Sequence, residues 1–249
     1  RSNASGGRPS HTRGTLPWRS DSRSHGPRRP ENSMVAFEAA VQAGYAIELD
    51  VRVSADGQAI IFHDADLERM TESKGLVVDA NAEALKNLNL GNSREGIPSL
   101  SDTLDMIAGR VPVIVEIKAC LDQVGFVEKS ALPILHRYDG PFAVTAFDAR
   151  TLAWFRKRQP EMPRGHNVGT RYLSPYKPWW RRLAWEFLYD VDDAQPDFVV
   201  YDRRDLPNWA TTRMRTSGMP VLSYTIGDMV EMIRLAPHTD NVIFEGFLP

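Results

Sequence analysis

From residue 30 onward two hydrophobic patterns trade places along the chain. Apolar positions recur first at helical spacing and then in short strand-like runs. Met34, Val35, Phe37, Ala40 and Val41 fall on one helical face behind Pro30-Glu31-Asn32-Ser33, and Gly44 is a natural stop for that helix. Residues 46–51 then predict a strand, Ala55-Asp56-Gly57 a turn, and residues 59–62 a second strand running into His63-Asp64. Residues 65–98 are less periodic and predict a loop with a short helix near 82–88. Beyond them, strands are predicted over 112–118, 142–147, 197–201, 221–225 and 241–245. Helices are predicted over 101–108, near 122–136 and 149–158, and over 206–217 and 228–236. A weaker strand signal lies at 164–169.

Short strands alternating with helices of about ten residues are the rhythm of an α/β fold with a parallel sheet. The seven clear strands and the weaker one make eight, the number a closed (β/α)8 TIM barrel requires. No glycine-rich dinucleotide or phosphate-loop fingerprint follows any of these strands. A nucleotide-binding doubly wound sheet is therefore disfavoured.

The chain has 249 residues, 42% of them apolar and 25% charged, an ordinary globular composition. A domain of this length folds without disulfides or a structural metal. A single cysteine, Cys120, excludes a disulfide framework within the chain and any multi-cysteine metal centre. There is no run of 18 apolar residues and no apolar leader, and a cytoplasmic location is the expectation.

Charge is unevenly spread. Residues 1–30 hold seven arginines and one aspartate, a net +6 that leaves −8 for the rest of a chain whose total is −2. With only Leu16 and Trp18 as large apolar groups, this stretch cannot bury enough surface to offset its ordering entropy. Residues 1–29 are expected to be a poorly ordered basic arm or the remnant of an expression tag, and residues 30–249 one barrel domain. No zinc finger, RNA-recognition motif or helix-turn-helix accompanies the arm, so nucleic acid is not an expected partner.

Barrel enzymes build their sites at the C-terminal ends of the strands. Glu48 and Asp50, two apart on one predicted strand, leave the same face with Cα atoms about 6.5 Å apart, close enough to share a cation. Ile47, Leu49 and Val51 make the other face apolar, which counts against a solvent-washed edge strand. Glu116 and Lys118 repeat the spacing; by themselves they fit a surface ion pair equally well. Three carboxylates in one barrel mouth would repel each other without a cation between them. An all-oxygen donor set favours Mg²⁺ or Ca²⁺ over zinc. His63, at the end of an apolar strand, has the chemistry for proton transfer near neutral pH, with a structural role as the alternative.

In order and spacing, Pro30-Glu31-Asn32-Ser33, Ala36-Phe37, Ala40, Glu48-Leu49-Asp50-Val51, Asp56-Gly57 and His63-Asp64, with Leu67, Arg69 and Thr71, resemble the glycerophosphodiester phosphodiesterase family. Glu116-Ile117-Lys118 matches that family's next motif, and Ala146-Phe147-Asp148 its Ser-Phe-Asp segment. Ser223-Tyr224-Thr225 stands where a Trp-Thr pair is usual, and Ile243-Phe244-Glu245-Gly246-Phe247 resembles the closing segment of one bacterial branch. The similarity covers about residues 30–249.

The resemblance implies a (β/α)8 barrel holding one divalent cation, Mg²⁺ or Ca²⁺, on Glu48, Asp50 and Glu116. It implies His63 as one of two catalytic histidines and Lys118 as a contact to phosphate or to the metal's surroundings. Glu31 and Tyr224 would lie by the substrate. The implied reaction converts a glycerophosphodiester to glycerol 3-phosphate and an alcohol. In the family's scheme a glycerol hydroxyl can attack first, giving a cyclic phosphate.

The family's opening His-Arg-Gly strand has no clean counterpart. His11-Thr12-Arg13-Gly14 keeps three of the motif letters in order, with His11 as the second catalytic histidine and Arg13 as the phosphate grip. His25-Gly26 has the nearer spacing but lacks the arginine. Loss of that motif would leave a non-catalytic barrel binding phosphodiesters or a protein partner. Residues 172–189, with Arg171 just before them, interleave seven aromatic residues with Lys177, Arg181 and Arg182. They read as a core-facing helix with a lid or oligomer contact. The alternative is a segment that meets a lipid surface, as in a lipid-directed phosphodiesterase of the lysophospholipase D type.

Overall fold

A computed structural model of the chain describes residues 29–118, 120, 123–169 and 193–249. His11, Arg13, His25 and the aromatic segment 172–189 lie outside these residues, as does the basic arm up to residue 28. Eight strands form one sheet: β1 (Ile47–Val53), β2 (Ala59–Ile61), β3 (Val113–Ile117), β4 (Phe142–Ala146), β5 (Arg164–Val168), β6 (Phe198–Asp202), β7 (Val221–Ile226) and β8 (Asn241–Phe244). Their order is β2-β1-β3-β4-β5-β6-β7-β8. The weak signal at 164–169 is the strand β5. All neighbours from β1 and β3 to β8 pair in parallel.

β2 is the exception: it returns antiparallel along β1, with Val51 opposite Ile61. Gly57 supplies the positive φ of +77° that the intervening turn needs. Eight strands are present as expected, but one is a hairpin return, and among the described residues the sheet has two edges, β2 and β8. It is curled nonetheless. Tyr45, just before β1, meets Phe244 of β8 edge-on with ring centroids 5.5 Å apart.

The helices α1 (Met34–Gln42), α2 (Ala82–Lys86), α3 (Leu100–Ile107), α4 (Phe126–Arg137), α5 (Ala149–Arg158), α6 (Trp209–Thr216) and α7 (Met229–Leu235) fill the connections. Side-chain caps set their starts. Ser33 Oγ accepts the Ala36 N–H, Ser99 Oγ the Asp102 N–H, and Asp148 the Arg150 N–H. The α6 helix begins later than the pattern predicts because Asn208 caps it through the Thr211 N–H at 2.8 Å.

Strand alternation sorts the side chains into two sets. Outward-facing Ile47, Leu49, Val51, Val113, Val115, Ile117 and Val144 pack with Phe37, Leu104, Val127 and Phe155 of the helices. Each such side chain contributes about 1.5–3 kcal/mol by leaving water. The inward set begins with an apolar plug of Ile114, Val200, Leu222 and Ile243. Closer to the strands' C-terminal ends the inward set turns polar. Register places Asp50 beside Glu116, Glu116 beside Thr145, and Asp202 beside Tyr224.

Candidate active site

The polar inward residues line a cavity of about 290 Å³. β1 contributes Glu48 and Asp50, and β3 contributes Glu116, with Lys118 just beyond it. β4 and β5 contribute Thr145 and Asn167, β6 Asp202, and β7 Tyr224. His63 enters from the segment after β2. The pair Glu48 and Asp50 lies in mid-strand rather than at its end, because β1 continues to Val53 to pair with β2. Neither is a solvated edge group: Glu48 is 9%, Asp50 2% and Glu116 8% exposed.

Carboxylate oxygens of Glu48, Asp50 and Glu116 come within 4.8 Å of one another. Lys118 Nζ donates to Glu116 Oε1 at 2.5 Å and pairs with Asp50 Oδ1 at 2.9 Å. Three carboxylates and one ammonium leave a formal charge of −2 in this cluster. An all-oxygen set short of two positive charges fits one hard divalent cation.

The titration behaviour follows from this crowding. Burial alone would raise the Asp50 carboxyl. The Lys118 ammonium, with His63 and a hydrogen bond from Asn32, outweighs burial and holds it well below the usual carboxylate range. Glu116 is raised: burial and the Asp50 charge push it up, and Lys118 offsets only part. Burial would lower the Lys118 ammonium, but Asp50 and Glu116 keep it raised.

A second layer of contacts holds these groups in place. Asn32 Nδ2 donates to Asp50 Oδ2 at 2.8 Å, and its Oδ1 accepts the Asp50 N–H at 3.3 Å. This double contact needs Asn32 at φ 57°, a left-handed conformation that asparagine tolerates. His63 Nδ1 lies 2.7 Å from Asp64 Oδ1. Arg52, on β1, donates to the His63 carbonyl at 2.7 and 3.0 Å. Arg69 donates to Asp64 and, through both terminal nitrogens, to Glu31 at 2.5 and 3.0 Å.

Of the residues singled out in the sequence, Glu48, Asp50, His63, Glu116, Lys118 and Tyr224 line the one cavity. Tyr224 donates its hydroxyl to the Val168 carbonyl at 3.2 Å and meets Phe147 edge-on. Glu31 is engaged by Arg69 and is not among the lining residues. Sequence reasoning assigned no role to Asn32, although it stands inside the quoted Pro-Glu-Asn-Ser motif. It passed over Arg52, Asn167 and the Asp202–Arg204 pair, in which Arg204 Nε donates to Asp202 at 2.8 Å. Only Asn32 carried a signal that could have been used.

A sequence profile described as the glycerophosphoryl diester phosphodiesterase family matches residues 23–239. A glycerophosphodiester phosphodiesterase from Bacillus altitudinis is 33% identical over 144 residues, covering 53% of this chain and 59% of that one. The chain spans about three fifths of the length of the curated relatives it matches at 31% and 33% identity. Among solved structures, a phosphodiesterase from Oleispira antarctica in complex with the product sn-glycerol-3-phosphate superposes with a TM-score of 0.77. It is 24% identical, over 92% of this chain and 93% of that one. A glycerophosphodiester phosphodiesterase from Agrobacterium tumefaciens gives 0.70 at 20% identity, over 92% and 96%. These likenesses show the barrel-type fold.

Proposed function

This chain belongs to the glycerophosphoryl diester phosphodiesterase family, and from that premise we propose that it hydrolyses glycerophosphodiesters to glycerol 3-phosphate and an alcohol in this cavity. One observation carries the reading: three buried carboxylates that could share a cation open onto the same cavity as His63. Bound to Glu48, Asp50 and Glu116, a divalent cation (Mg²⁺ or Ca²⁺) would supply Lewis-acid stabilisation of charge on the phosphoryl oxygens.

The chain's own residues supply the rest. Asn32 and Lys118 hold Asp50 ionised and oriented. Lys118 brings a fixed positive charge to the phosphoryl group's surroundings. Asp64 accepts from His63 Nδ1, leaving Nε2 to take or give the proton at the reacting oxygens. His11 is proposed as the second acid–base group with Arg13 at the phosphate, His25 being the other candidate for the histidine.

Hydrolysis of glycerophosphocholine, followed by coupled detection of glycerol 3-phosphate, tests the proposal. EDTA should abolish turnover and Mg²⁺ or Ca²⁺ restore it. Glu48→Gln should cut kcat by at least about a hundredfold with an unchanged circular dichroism spectrum. Full activity of Glu48→Gln at saturating metal would refute the site. A folded native protein that binds the cation yet turns nothing over would point to the non-catalytic reading.

A further inference from the structure

Asn167 is an unusual residue for its place. It faces inward on β5, in register with Val200 of the apolar plug, and is only 4% exposed. Its Oδ1 is buried and has no hydrogen-bond partner among the described residues. A buried acceptor without a partner is costly to the fold, and such atoms in native proteins need an explanation. Packing does not provide one, since its register partner on β6 is the apolar Val200. The amide does, however, line the same cavity as the carboxylate cluster.

Two strands of the ladder, β3 and β4, separate β5 from β1. A phosphodiester whose phosphoryl group sits at Glu48, Asp50 and Glu116 therefore has room to lay an organic arm toward β5. The amide presents an acceptor and a donor side by side. A hydroxyl complements it because a hydroxyl can both donate and accept. A quaternary ammonium can do neither.

Resting on the activity proposed above, we propose that Asn167 is a specificity-determining residue that binds a hydroxyl of the substrate's polyol portion. That hydroxyl belongs either to the glycerol half common to all glycerophosphodiesters or to a hydroxylated leaving alcohol. The two sources give different results on two substrates: glycerophosphoglycerol, with hydroxyls on both arms, and glycerophosphocholine, with none on the choline arm.

Asn167→Leu should raise KM about tenfold or more while leaving kcat within about threefold, because the lost contact serves binding rather than the reacting atoms. It should also raise Tm, since it removes a buried atom without a partner; a merely structural role for Asn167 predicts the opposite shift. Asn167→Thr, which keeps a hydroxyl at the site, should recover part of the lost affinity. A KM rise on both substrates assigns the contact to the glycerol half, and a rise on glycerophosphoglycerol alone to the leaving alcohol. An unchanged KM on both, or a lowered Tm, overturns the inference. A native protein that turns over neither substrate refutes the proposed activity instead. The same variant is then compared by calorimetric titration with glycerophosphoglycerol and dimethyl phosphate. Equal binding of glycerophosphoglycerol by the native protein and Asn167→Leu overturns the inference there too.

Discussion

Asp64 and Asn32 act on their neighbours in the same way: each spends its hydrogen-bonding capacity on fixing another polar group. An ionised carboxylate can only accept, so the 2.7 Å contact to Asp64 places the proton of His63 on Nδ1. Arg69 and His63 keep Asp64 ionised: although burial would raise it, their hydrogen bonds and charges hold it below the ordinary value. Asp64→Asn keeps the shape but can offer a donor, and the imidazole can then turn over or take the wrong tautomer. On the proposed reading this should lower kcat by roughly ten- to a thousandfold with KM nearly unchanged. Steady-state kinetics on glycerophosphocholine checks it, and an unchanged kcat would remove His63 from the acid–base role.

At the scale of elements, β5 shows why some of the molecule was hard to read. Periodicity registers apolar residues, and Arg164-Gly165-His166-Asn167 offers none, although every residue of the strand is buried. Polar groups buried on both faces cancel the signal that burial normally leaves. The hairpin was legible in principle. Five residues separate β1 from β2, too few for the crossover of a dozen or more that parallel pairing needs. Counting strands toward eight hid that constraint. By contrast Glu48, Asp50, Glu116 and Lys118 could be read directly, because paired charges two apart break an apolar strand on one face only. Gly165 marks a further element-level requirement. A Cβ there would lie 2.3 Å from the Phe198 ring on β6. Gly165→Val should therefore lower the unfolding free energy by about 1–3 kcal/mol in a urea titration. Wild-type stability in that variant would mean that the Phe198 ring turns aside without cost.

At the scale of the whole molecule, stability should depend on pH through His166. It lies on the outward face of β5, 1% exposed. Burial pushes its pKa from 6.5 down to about 4, against a hydrogen bond with the Ala146 backbone and the charge of Asp148. The folded chain thus holds this imidazole neutral where the unfolded chain protonates it. Its contribution is complete above pH 6.5 and is lost as pH falls toward 4, by about 3 kcal/mol in all. Denaturant titrations at pH 7.5 and 4.5 should show a smaller difference for His166→Leu than for the native chain. Equal differences would show that other groups set the acid limit. Among the described residues no helix is long and apolar enough to cross a membrane.

The hairpin that interrupts the parallel order also divides the cavity by the chain length needed to assemble it. The Phe62 N–H donates to the Asp50 carbonyl across a span of only twelve residues, and His63 follows at once. Glu116 comes to the side-chain carboxylate of Asp50 from sixty-six residues away. Closing the longer loop costs about 1.5 kcal/mol more in chain entropy. The histidine therefore reaches Asp50's strand through one short closure, whereas the carboxylate cluster is complete only when β3 has docked. Of the two, the cluster is the part whose geometry depends on pairing between strands far apart in the chain.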